Sequence, residues 1–265
     1  MKIIDFHTHA FPDNLAEKAI NSLKTYSPDS KPYHNGTIKG LLESMDKAGI
    51  YASVIQSIAT KPSQMENILN WSIQIKSERI IPFISLHPEG KNFESILKKA
   101  KENDIKGVKI HPHYQNFYCD DKKVFPIYEI IAHYGLIAFF HAGVDLAFPG
   151  MDNASPERLL KVRKEFPELI MVLAHGGSYR EWDKVYDLLC GKEFYFEISF
   201  ILKEAGSDMF KKILNKHSED LFLFGTDSPW NNQKEEALLL EQVKIPDRIK
   251  EKIFYLNAER LLNQV

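Results

Sequence analysis

Eight short apolar runs are spaced along the whole chain, at residues 2–6, 52–56, 80–86, 107–110, 136–140, 169–174, 194–198 and 221–224. Each is nearly continuous rather than alternating, as expected of parallel strands buried on both faces. After the second run, their ends recur every 24 to 34 residues, about one βα unit each. The stretches between them carry helical spacing: Met65, Ile68, Leu69 and Ser72; Phe93, Ile96, Leu97 and Ala100; Met209, Phe210, Ile213 and Leu214. Ser155-Pro156 reads as a helix cap followed by proline at the first helical position, and Gly49, Gly135 and Gly191 sit where helices should end. A chain of 265 residues fits one (β/α)₈ TIM barrel, typically about 250 residues, with little left over. The expected fold is therefore α/β, a single barrel domain over residues 1–265.

Charge and cysteine content narrow the class. Thirty-four basic and 36 acidic side chains give a net charge of −2, which offers no basic field to nucleic acid or an anionic membrane. Two cysteines, Cys119 and Cys190, are too few for a disulfide framework and suit a reducing cytosol. No apolar signal core opens the chain and no run reaches transmembrane length, so a cytoplasmic protein acting on a small molecule is expected, with a homodimer allowed. One interval is too long for its place. Residues 11–36, between the first two strands, hold three prolines and a helical stretch at 15–23. They should form a long loop over the barrel mouth, as a surface insertion or a lid.

The histidines decide the chemistry. His7, His9, His87, His111, His113, His141 and His175 fall at or just past strand ends, whereas His34, His133 and His217 do not. In a barrel those ends converge on one mouth. In Asp5-Phe6-His7-Thr8-His9, strand alternation puts His7 and His9 on one side, where two imidazoles can grip one cation. Asp5 shares that parity and should orient a histidine from below. His141 and His175 end the fifth and sixth strands, and Asp227 ends the eighth, as helix cap or as metal ligand and proton carrier.

These motifs, with Gly107-Val108-Lys109-Ile110-His111-Pro112, Gly225-Thr226-Asp227-Ser228-Pro229 and Asn257-Ala258-Glu259-Arg260-Leu261-Leu262, resemble the amidohydrolase superfamily. More narrowly, they resemble its amidohydrolase-related branch of metal-dependent hydrolases and non-oxidative decarboxylases. The resemblance implies a distorted barrel and one divalent metal, zinc or alternatively manganese. Its ligands would be His7, His9, His141 and Asp227, with His175 as ligand or catalytic base beside Asp227. Relatives with two metals often bridge them by a carboxylated lysine on strand four, where Lys109 lies; the alternative is a buried ammonium paired with an acid, Glu197 being one candidate. A TatD-like nuclease would carry a glutamate on strand four, and a PHP-type phosphoesterase an aspartate-x-histidine pair at the end. Neither pattern is present.

Tyr114, Phe117, Phe148, Tyr179, Trp182 and Trp230 follow strand ends and could wall a pocket for a flat ligand or pack loops onto the barrel. Lys109, His111, His113, Arg180 and Trp230 are the candidate substrate contacts, Arg180 and His113 for a carboxylate. The expected activity is hydrolysis of a cyclic ester, lactone or amide by metal-activated water. The alternative is non-oxidative decarboxylation, a lyase reaction, of a small carboxylic acid in the same pocket.

Overall fold

The computed structural model describes residues 2–24 and 31–265. Eight parallel strands pair in chain order: β1 (Ile4–Thr8), β2 (Ala52–Gln56), β3 (Ile80–Ser85), β4 (Gly107–Ile110), β5 (Ile137–Phe140), β6 (Ile170–Leu173), β7 (Tyr195–Glu197) and β8 (Phe222–Leu223). Helices lie between them, so the expected (β/α)₈ barrel is observed. Its seam is closed by backbone bonds from Phe6 N–H to Phe224 O (2.8 Å) and from Asp227 N–H to His7 O (2.7 Å).

Two apolar cores follow from strand alternation. Ile4, Phe6, Val54, Phe83, Phe139 and Val172 fill the barrel, whose lower end is plugged by Ala258, Leu261 and Leu262 of the helix Asn257–Gln264. The opposite faces, with Ile55, Ile84, Val108, Phe140, Leu173 and Phe222, pack on the surrounding helices. The expected punctuation is present. Ser155 precedes Pro156 at a helix start, and Gly49 ends the helix Ile38–Ala48 in the left-handed region at φ 70°.

The β1 alternation is interrupted. Register with β2 slips between Asp5 and Thr8, a bulge that re-aims the strand end. Asp5 therefore does not share a face with His7 and does not orient an imidazole. Its buried carboxylate accepts the His7 N–H (3.1 Å), the Thr226 hydroxyl (2.6 Å) and Gln233 Nε2 (2.8 Å), which bolts β1 to the segment after β8.

The long β1–β2 connection contains the helix Asp13–Lys24, close to the expected stretch. Residues 25–30 of the expected loop lie outside the described residues. The return segment docks on the mouth edge, where Tyr33 N–H bonds Pro229 O (2.9 Å) and Phe11 N–H bonds Gly36 O (2.8 Å). His34, set apart from the rim in sequence, reaches Ser228 Oγ at 3.1 Å. Burial pulls its pKa down to about 4. No helix among the described residues is long and apolar enough to cross a membrane.

Candidate metal centre

The carboxyl ends of the strands open into a cavity of about 620 Å³ lined by His7, His9, Lys109, His111, His141, His175 and Asp227. Two of these residues are held against backbone preference: His175 at φ 61° and Asp227 at φ 60°. A non-glycine residue in that region costs about 1–3 kcal/mol and is kept where a site requires it.

His7 and His9 meet Asp227. His9 Nε2 lies 2.9 Å and His7 Nε2 3.2 Å from the same oxygen, Asp227 Oδ1. What stands behind each ring decides what the front can do. His9 Nδ1 is 2.8 Å from the Gln56 carbonyl, an acceptor only, so Nδ1 carries the proton and Nε2 presents its lone pair to the mouth. His7 Nδ1 is 2.8 Å from Glu197 Oε2. Burial pushes the Glu197 carboxyl up to about 8, while the Ser199 N–H and O–H draw it back; burial also holds His7 well below its ordinary value. Two neutral imidazoles and a carboxylate oxygen so arranged fit a divalent cation.

His141 and His175 stand beside this set with their nitrogens turned to each other. Ser199 Oγ–H donates to Glu197 Oε2 (2.9 Å), so His175 Nδ1–H must donate to Ser199 Oγ (2.8 Å). His175 Nε2 is then the acceptor for His141 Nδ1–H, 3.2 Å away. His141 Nε2 is left with a buried lone pair and no protein hydrogen-bond partner. Burial lowers His175 to about 4 and His141 well below its ordinary range, which keeps both rings neutral.

Lys109 is fully buried, and burial lowers its pKa to about 7. It does not pair with Glu197, whose oxygens are taken by His7 and Ser199. Its Nζ lies 3.4 Å from His7 Nε2 and 4.3 Å over the Phe139 ring. His111 lines the mouth and faces Asp145, an acid that nothing in the strand pattern marked. His113 turns away from the cavity, because the His111–Gln115 turn (Gln115 N–H to His111 O, 3.0 Å) breaks the alternation; its Nε2 approaches Met151 O at 3.4 Å. Arg180 is at the rim but half-exposed and paired with Glu204 (3.1 Å). Tyr114, Tyr179 and Trp230 wall the cavity. Phe117, Phe148 and Trp182 do not: Trp182 Nε1 donates to His175 O, and Phe148 packs on Tyr114 and His113. His87 serves its own turn, accepting the Glu89 N–H at Nδ1.

The amidohydrolase family profile matches residues 4–264. The chain belongs to that family. Among solved structures, this amidohydrolase is similar to an uncharacterised TIM-barrel protein from Bordetella bronchiseptica, with 21% identity, TM-score 0.79, and coverage of 100% of this chain and 99% of that one. It is also similar to a dihydroxybenzoic acid decarboxylase from Polaromonas with bound manganese and 2-nitroresorcinol (14% identity, TM-score 0.73, coverage 99% and 97%). A third is a probable 2-pyrone-4,6-dicarboxylic acid hydrolase from Acinetobacter baumannii with citric acid bound (15% identity, TM-score 0.71, coverage 99% and 100%). At these identities the likeness is one of fold. No curated protein matches the chain in sequence.

Proposed function

We propose that this amidohydrolase is a metal-dependent hydrolase of a small cyclic ester, lactone or amide. The observation that supports this most directly is the convergence of His7 Nε2 and His9 Nε2 on Asp227 Oδ1 at an open mouth. Held there, zinc or manganese would supply Lewis acidity, lowering the pKa of a coordinated water and polarising a substrate carbonyl. Asp227 takes the proton of the attacking water and returns it to the leaving group. His175, joined to both Ser199 and His141, keeps its neighbours in the tautomers the site needs. Lys109 and His111 meet the substrate from the floor of the cavity, and Arg180 and Trp230 from its rim.

A second reading, decarboxylation of a small carboxylic acid, is favoured by the Lys109 amine buried at the cavity floor, which would be protonated on receiving a substrate carboxylate. Isotopes separate the two. Turnover of lactones and aryl carboxylates in ¹⁸O-water and in D₂O should place ¹⁸O in a hydrolysis product. Deuterium on carbon, with released carbon dioxide and no ¹⁸O incorporation, would replace the first reading by the second.

A further inference from the structure

We propose that His34 is a positioning residue for the metal centre: by fixing Ser228 it holds His9 and Asp227 in place against each other. The proposal rests on the metal-dependent reading above. Ser228 is fully buried and pairs with Thr8 as a parallel bridge between the end of β1 and the segment after β8. It is therefore the point where the two halves of the His7–His9–Asp227 set are joined. His9 N–H donates to Ser228 O (2.6 Å), and Asp227, the residue before Ser228, donates its own N–H to His7 O (2.7 Å). Asp227 stands in the left-handed region at φ 60°, and such a conformation persists only where the surroundings over-determine it.

His34 supplies a side-chain part of that constraint. Gly36 N–H donates to His34 Nδ1 (3.1 Å), so Nδ1 is the acceptor and Nε2 carries the proton. His34 Nε2–H must then donate to Ser228 Oγ, 3.1 Å away. Burial lowers the ring's pKa to about 4, so the two nitrogens keep these roles near neutral pH. Alongside it, Tyr33 N–H donates to Pro229 O (2.9 Å), so residues 33 and 34 grip two successive residues after Asp227. The Tyr33 bond is main-chain and survives most substitutions, whereas the Ser228 bond depends on the imidazole. Both come from the long β1–β2 connection, so a segment outside the barrel braces the carboxylate that completes the site. Losing the imidazole releases Ser228 Oγ, and any shift of Ser228 moves the His9 amide and the Asp227 carboxylate together.

The test is cobalt(II) binding by dialysed protein against a competing chromophoric chelator, with the visible spectrum of the bound cobalt recorded. His34→Ala should bind cobalt about 10-fold more weakly, the lower end of the loss when a ligand's supporting partner is removed, and its cobalt spectrum should shift. Glutamine carries an acceptor and a donor spaced like the two ring nitrogens, so His34→Gln should keep wild-type affinity and spectrum. Where His34→Ala does not fold, Ser228→Ala removes the same bond from its other end and should show the same loss. Where both fold, the double variant should lose no more than either alone. Wild-type cobalt affinity and spectrum in either alanine variant, with only a lower melting temperature, would overturn the proposal. Losses that simply add, or a His34→Gln no better than alanine, would do the same. A wild type that binds no cobalt would instead remove the metal-dependent reading, and the proposal with it.

Discussion

Gly225 offers a small change with a large expected effect. A methyl group there would lie 2.3 Å from Glu197 Oε1, 2.6 Å from Cδ and 2.7 Å from Cγ. Ordinary contacts between such atoms begin near about 3.5 Å, so the carboxylate must withdraw by about 1 Å. Gly225 is not among the residues at positive φ, so alanine adds this clash without backbone strain. Glu197 is held on its other side by Ser199 and His7, and retreat breaks the 2.8 Å bond to His7 Nδ1. Leaving a buried donor such as His7 Nδ1–H without its acceptor costs about 1–3 kcal/mol. Losing the group that orients a metal-bound histidine costs about 10–100-fold in affinity. Gly225→Ala should therefore bind zinc about 10–100-fold more weakly in a chelator competition, and the metal-free protein should melt several degrees lower. Unchanged zinc affinity alongside a lower melting temperature would refute the claim that Glu197 sets the His7 imidazole.

Three further outcomes are expected. A chelator should lower the melting temperature, because an ion bound only by the folded barrel stabilises it by mass action, and His7→Ala with His9→Ala should mimic this; identical thermograms with and without metal would exclude a bound ion. Asp227→Asn keeps one oxygen ligand but no base, so turnover should fall by about 10²–10⁴ while much of the metal is retained, as read from kcat beside metal content. Lys109 falls to about 7 in the folded state against an ordinary 10.5, so between these values the unfolded chain binds a proton that the folded one does not. The contribution of Lys109 to the stability of the metal-free protein should thus rise as pH climbs from about 7 to about 10.5. In urea unfolding, the stability of Lys109→Met should rise less with pH across that window than that of wild type; equal pH slopes in both proteins would count against a lowered Lys109 pKa.

The barrel was legible because strands buried on both faces leave continuous apolar runs, and seven of the eight observed strands fall within or coincide with them. The exception is β1, which extends through Thr8, two residues past its run. His7, His9 and Asp227 were legible for a related reason: strand ends meet at one mouth whatever lies between them. The misses arise where alternation fails. The β1 bulge parts Asp5 from His7, and the turn after His111 swings His113 out of the cavity. Asp145 sits in an irregular loop four residues past His141, a spacing that carries no signal outside a helix. Glu197 was visible as an acid on strand seven, but its bond to His7 depends on Gly225, a steric relation between neighbouring strands.

The plug at the base of the barrel sets an order of events during synthesis. Ile4 and Phe6 are made some 250 residues before the Ala258, Leu261 and Leu262 side chains that cover them. The same separation holds at the mouth, where His7 and His9 precede Asp227 by most of the chain. Contacts so distant in sequence form slowly, and partly made barrels expose apolar strand edges in the meantime. A nascent chain then carries two imidazoles without the aspartate that completes the grip. A chain cut short before Ala258 would leave the interior open, and one cut before Asp227 would leave His7 and His9 without the carboxylate they meet in the folded barrel.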